Sequence, residues 1–232
     1  LNGSAVSGTD VGFRIAPRLN AAGRMGHARL AIELLTRADE NRAREIALYL
    51  DDHNRARQNM QRKQVRRARE LVEKHALDGD ANRAIVLADE DWHAGVIGIV
   101  ASNLVERYHK PVVLIALEGD EGHGSARSVP YFPMHEALAA CGEHLLSHGG
   151  HAMAGGIKIT AQSVPAFTDA FVRHANNTLS GSALRPRLHI DGEVDLHDLD
   201  EATVTALHRL QPFGAGNPKP ILATDWVELA DD

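Results

Sequence analysis

The chain has only one cysteine, Cys141, so no disulfide can close within it, and a reducing compartment is expected. No stretch approaches the roughly 18–20 apolar residues that cross a bilayer, so no membrane partner is expected. The opening LNGSAVSGTD has no basic segment leading into an apolar run and therefore lacks the form of a signal peptide. A cytoplasmic protein is the expectation. The sequence also lacks an initiator Met, internal repeats and low-complexity tracts, and a fragment or processed piece is expected. What is present suffices for folding. Of 232 residues, 44% are apolar, enough to bury the core of one large domain or two small ones.

The net charge of −6 argues against a polyanionic partner, but its distribution argues the other way. Residues 42–74 carry ten Lys or Arg against five acids, whereas residues 188–232 carry ten acids against Arg209 and Lys219. Local charge decides where a polyanion sits.

Residues 1–10 are small and polar and predict a loop. A helical pattern begins near His27. From Asn41 to about Ala76 there is no Gly or Pro, which predicts one long helix, polar enough to bridge two bodies. Ala84–Ala88 is a continuous apolar run, as in a strand buried on both faces, and Val112–Ile115 is another. The loop DEDWHAG (89–95) and a helix from Val96 connect them, predicting a right-handed βαβ crossover. A third strand is expected at 123–129, then a helix from Met134 to about Ser147. The loop GGHAMAGG (149–156), a strand Ile157–Thr160 and a last helix capped by Ser163 follow. Residues 176–186 form a polar linker, and Ile221–Leu229 reads as a strand.

Four segments could carry chemistry. In GGHAMAGG, the pairs Gly149–Gly150 and Gly155–Gly156 either cap a helix and turn the chain, or let backbone approach an anion, with His151 as donor. In GHGSARS (122–128), Ser125 and Arg127 share one face of a strand, with Ser128 beside them. A hydroxyl next to a guanidinium is a compact phosphate clamp, although a surface arginine on an edge strand has the same pattern. In DEDWHAG, Trp92 either stacks on a base or packs on the helix, and His93 either faces a ligand or caps that helix. In RLNAAGR (18–24), Asn20 and Arg24 can reach phosphates or base edges, or the segment is a tight helix start. Two apparent metal motifs are read as structural. Asp51-Asp52-His53 are consecutive on a helix and point about 100° apart, and of His144, His148 and His151 the first two lie at i, i+4 while a Gly-Gly step redirects the third.

Taken in order, RIAPRLNAAGRMG (14–26), LDDHNRARQ (50–58), DEDWHAGVIGIVASNLVERYHKPVVLI (89–115), GSARSV (124–129), HGGHAMAGG (148–156) and LQPFGAGNPKP (210–220) resemble the RecJ exonucleases of the DHH phosphoesterase superfamily. The resemblance implies an α/β fold. A small mixed sheet with helices, the DHH-associated domain, is preceded by a long connecting helix and followed by the start of an OB-like β domain. The implied segments are 1–40, a C-terminal remnant of the DHH domain; 41–78, the connecting helix; 82–176, the DHH-associated nucleic-acid-binding domain; and 187–232, a truncated OB-like start. It implies a parent enzyme that hydrolyses single-stranded DNA from the 5′ end in repair and recombination. The parent uses Mn²⁺ or Mg²⁺ held by a DHH domain upstream of Leu1, so no metal ligand and no catalytic residue is expected in this chain. Gly149, Gly150 and His151 are implied to face the metal centre, Ser125 and Arg127 the 5′-phosphate, and Asn20 and Arg24 the strand. The rival readings are a phosphodiesterase for short RNA or small nucleotides in the same superfamily, and a non-enzymatic nucleic-acid-binding module.

Overall fold

The uninterrupted Ala/Arg/Glu/Gln/Leu stretch after Asp39 does form one helix. In the computed structural model, which describes residues 6–24 and 28–227 (without the side chains of Arg24, Ser182 and Ala183), it runs from Glu40 to Lys74. The Asp39 carboxylate starts it by accepting from the Arg42 amide at 2.9 Å. Before it come helices α1 (Gly8–Asp10), α2 (Ala16–Arg24) and α3 (Ala28–Thr36), with a π-helical turn at Val11–Ile15; the long helix is α4. The expected loop at the start is thus partly helical, because Ser7 and Asp10 cap one another's backbone amides.

A five-stranded sheet follows: β1 (Ile85–Asp89), β2 (Val112–Glu118), β3 (Glu121–Arg127), β4 (Ser147–Gly150) and β5 (Ala154–Thr160), in the order β1-β2-β3-β5-β4. Helix α5 (Ala94–Tyr108) connects β1 to β2, which pair in parallel; all other pairs are antiparallel. Two expectations fail here. The helix from Met134 stops at Ala140 as α6 and does not reach Ser147, since Gly142 and a 3₁₀ turn intervene. The segment GGHAMAGG is no open loop but the tip of a β4–β5 hairpin. Helix α7 (Val164–Thr178) closes the region; Ser163 precedes it, but its side chain makes no cap.

The sheet is packed on both faces. Against one lie α4 and α5, burying Ala68, Leu71, Val72, Val96, Val100 and Leu104 on Ile85, Leu87, Val112 and Leu114. Against the other lie α6 and α7, with Phe132, Met134, Leu138, Phe167 and Phe171 on Val113, Ile115, Ala126, Ile157 and Ile159. Each fully buried large side chain contributes about 1.5–3 kcal/mol. The first half of α4 instead buries Ile46 and Leu50 against Ala22 of α2, with Leu30 and Leu34 of α3 alongside. One helix therefore serves two cores. Beyond its far end, the buried Lys110 ammonium donates to the carbonyls of Leu77 (3.2 Å), Asp78 (2.7 Å) and Gly79 (2.8 Å). Burial lowers the Lys110 pKa below the usual lysine value, while Asp78 and Asp80 act to raise it.

The chain divides into two compact units, residues 16–185 and residues 1–15 with 186–232. In the latter, β6 (Gly192–Glu193) pairs in parallel with β7 (Leu222–Ala223), and α8 (Glu201–His208) is capped by Asp200. The expected strand over Ile221–Leu229 is thus two residues long where described, and Leu229 lies outside the described residues. In LQPFGAGNPKP, the Asn217 amide donates to the carbonyls of Leu210 and Pro212, both at 2.9 Å, so the motif closes a turn.

Candidate nucleic-acid interface

Directly paired residues in a sheet point to the same face. Leu114, Ser125, Gly156 and Gly149 form one such row across β2, β3, β5 and β4. Leu114 is buried under α5, Ser125 is half-buried, and Gly156 and Gly149 are exposed. Helix α5 therefore covers β2 and ends at β3, and the side-chain-free part of the row is open. Two residues beyond Ser125 on the same face, Arg127 folds back. Its Nη1 donates to Ser125 Oγ at 3.1 Å and to the Ala126 carbonyl at 2.7 Å. The pair nests against Gly98 of α5, where a Cβ would come within 2.9 Å of Arg127 Nη2 and 3.0 Å of Ser125 Oγ. Gly98 belongs to this candidate site and was missed in the sequence. An isolated glycine inside a helical pattern was the available signal.

The glycines of this region separate into two classes. A Cβ on Gly155 would lie 2.6 Å from Leu138 Cδ1, and one on Gly124 2.4 Å from Ile157 Cγ1, so both are required by packing. Gly150 has φ +151°, and its Cβ would meet the Ala154 carbonyl oxygen at 2.3 Å, so the hairpin itself requires it. By contrast, Gly149 has nothing within 4 Å and Gly156 only the Gly124 carbonyl oxygen at 3.8 Å. Nothing inside the fold forbids a side chain there. What remains is a flat strip of backbone beside a guanidinium and a hydroxyl. That shape admits the phosphate-sugar chain of a nucleic acid. His151, exposed in the hairpin turn, donates its amide to Ala154 O at 2.8 Å.

Residues 81–177 match the DHHA1 domain, and residues 190–231 match the RecJ OB domain. The single-stranded-DNA-specific exonuclease RecJ of Bacillus subtilis strain 168 is 38% identical over 223 residues, covering 95% of this chain and 28% of that protein. RecJ of Haemophilus influenzae Rd is 34% identical over 219 residues, covering 91% and 38%. The crystal structure of RecJ from Thermus thermophilus in complex with Mn²⁺ superposes with a TM-score of 0.84 at 32% identity, over 96% of this chain and 32% of that one. Over nearly its whole length the chain is similar to a segment of RecJ. It spans about a third of the length of these RecJ relatives.

Like the RecJ structure it superposes on, it has the expected α/β architecture, with the small mixed sheet, the long helix and the OB match. Two expected contact residues need correction. Trp92 is 5% exposed and packed in the core shared by α4 and α5, so its ring is not available to stack on a base. Ser128 is 4% exposed, and its hydroxyl donates to the Phe132 carbonyl, closing the loop after β3. His93 caps α5, its Nδ1 accepting from the Gly95 amide at 3.1 Å. Asn20 is exposed on α2, in the helical cluster and not on the sheet, and the Arg24 side chain lies outside the described residues.

The basic run on α4 is partly neutralised from within. Arg42 pairs with Glu33 and Glu45, Arg44 with Glu40, Arg55 with Asp51, and Arg67 with Asp89. Asp51 also holds Arg18 at 2.8 Å, and the His53 ring lies 4.1 Å from that of Tyr49, so the Asp51-Asp52-His53 triplet does not converge. His148 faces Gly142, whereas His151 sits in the turn. The RecJ structures with Mn²⁺ and Mg²⁺ imply a metal for the family. Among the described residues, no group of three His, Cys, Asp or Glu is arranged to hold an ion, so the described residues do not fit one.

Proposed function

We propose that this chain is the strand-gripping segment of a cytoplasmic, single-strand-specific 5′–3′ DNA exonuclease that acts in repair and recombination. Residues 1–40 are the end of its DHH domain, 41–78 its connecting helix, 82–176 its DHH-associated domain and 187–232 the start of its OB-like domain. The Mn²⁺ or Mg²⁺ ions of the parent enzyme are held outside this segment. The observation that carries the reading is the Ser125–Arg127 pair, nested on Gly98 beside the open row Gly156–Gly149. The pair grips the 5′-phosphate, the glycine row lets the strand lie close, and His151 faces the reacting end. Asn20 and Arg24 contact the strand.

A terminal phosphate carries close to two negative charges against one for an internal diester, so a guanidinium fork favours a phosphorylated end. Losing a hydrogen bond to a charged group costs about 1.5–3 kcal/mol, and about 1.4 kcal/mol is one decade in rate. The intact parent protein is therefore expected to prefer 5′-phosphate over 5′-hydroxyl ends by about tenfold or more in kcat/KM. Arg127→Ala should erase most of that preference, and Arg127→Lys should restore part, since an ammonium keeps the charge and loses the fork. Equal losses on both substrates would show that Arg127 grips the strand generally or supports the fold. Tighter handling of a dinucleotide than of a ~20-mer would favour a small-nucleotide phosphodiesterase instead.

A further inference from the structure

We infer that Tyr131 is a stacking platform for a nucleobase of the bound strand, presented by a stiffened loop beside the glycine hairpin. The inference rests on the proposed single-strand-binding role. Among the described residues, three other than glycine have positive φ: Ala76 (49°), His109 (53°) and Tyr131 (70°). The first two lie just past the ends of α4 and α5, where a left-handed residue ordinarily terminates a helix. Tyr131 terminates none. A bulky L-residue in this region is a conformational outlier, and such outliers persist only where the surroundings impose them.

The surroundings do impose it. On one side of Tyr131 the Ser128 amide donates to Met153 O at 2.9 Å, and on the other the Met134 amide donates to Ala152 O at 2.8 Å. Both tethers lead to the hairpin turn that carries His151. Within the loop, Ser128 Oγ donates to Phe132 O, and Val129 and Phe132 are buried at 5% and 1% exposure. Phe132 meets Phe171 edge-on with centroids 5.9 Å apart. Pro130 and Pro133 flank the central pair and fix their own φ. The loop is thus anchored on both sides of Tyr131, yet Tyr131 itself is 70% exposed. A turn that needs positive φ is best served by glycine, and a ring this exposed adds little to the core. What an exposed ring on a rigid loop offers is a flat face, and every base has a matching one, so the contact would be independent of sequence. The position suits it, because β3 ends at Arg127, directly before this loop, and Arg127 is paired in register with Ala154 at the start of β5.

The test uses the intact parent protein, with binding of a 5′-phosphorylated single-stranded oligonucleotide followed by fluorescence anisotropy in a metal chelator. Tyr131→Gly removes the ring and relieves the backbone; Tyr131→Phe keeps the ring. The glycine variant is expected to melt no lower than the wild type and to bind about fivefold or more weakly, with the phenylalanine variant close to wild type. An oligonucleotide with one abasic site, moved along the strand, should at one position weaken the wild type to the level of the glycine variant while costing that variant nothing further. Unchanged affinity of the glycine variant overturns the inference. So does a loss that persists with every abasic strand, which would place the ring against backbone or protein, and so does a loss accompanied by a lower melting temperature. Failure of the wild type itself to bind single-stranded DNA would instead defeat the strand-gripping role.

Discussion

At Gly98 the absence of one methyl group decides how the Ser125–Arg127 pair is held. In an unstrained helix, alanine is favoured over glycine by about 0.8–1.0 kcal/mol, so Gly98→Ala on α5 should leave the melting temperature unchanged or raise it. The added Cβ would press on the Arg127 guanidinium and the Ser125 hydroxyl, at 2.9 and 3.0 Å, and those flexible groups must move. The expected outcome in the intact protein is a stable variant whose preference for 5′-phosphate ends falls towards that of Arg127→Ala, read from kcat/KM on matched oligonucleotides. A retained preference would mean that the pair does not work from this position. The shared face of Ser125 and Arg127 was legible because strand period two requires no partner information. The role of Gly98 was not, because it arises where a helix crosses a strand distant in sequence. Trp92 was ambiguous for the same reason: Ala68, Leu71 and Val72 of α4, which share its core, are far away along the chain.

The β4–β5 hairpin shows what composition hides at the scale of an element. SHGG and AGGIKIT have too few side chains to display alternation, so Ser147–Gly150 read as the end of a helix and a loop. The long helix α4 was legible because nothing in it conflicts with helix, and the buried strands β1 and β2 because their apolar runs are continuous. The hairpin's two glycine classes lead to opposite expectations. Gly155→Ala should destabilise by about 1–3 kcal/mol through overpacking on Leu138, lowering the denaturant midpoint. Gly149→Ala, with open space, should stay within about 0.5 kcal/mol of the parent while turnover drops, because the methyl group stands where the strand would lie. Normal turnover in Gly149→Ala would mean that nothing approaches that backbone. Lys110 makes a third test. Lys110→Met leaves the carbonyls of Leu77, Asp78 and Gly79 without their buried donor, and a loss of about 1.5–3 kcal/mol with an unchanged denaturant slope is expected.

For the whole molecule, charge and extent set what the chain can do alone. A net charge of −6 and a basic helix partly paired with acids of its own and of neighbouring elements give no general attraction for a polyanion, so binding must come from few, local contacts. The affinity of the chain for single strands should then fall with salt by a log–log slope of about −0.7 for each phosphate contacted, and the slope should be small. Hydrolysis needs more than grip. It needs an activated water and stabilisation of the attacking and leaving oxygens. The described residues provide a guanidinium, a hydroxyl, an exposed histidine and open backbone, which can hold and orient a phosphodiester. They bring together no carboxylate and histidine set for an ion. The chain also spans only about a third of its RecJ relatives. The purified chain is therefore expected to release no nucleotides from 5′-phosphorylated single-stranded DNA in Mn²⁺, under conditions where the RecJ exonuclease of Bacillus subtilis serves as the positive control, while still showing salt-sensitive binding. Background nuclease is separated by substitution. Metal-dependent cleavage that disappears in His151→Ala of this same chain would place catalysis within it and defeat the division between grip and chemistry.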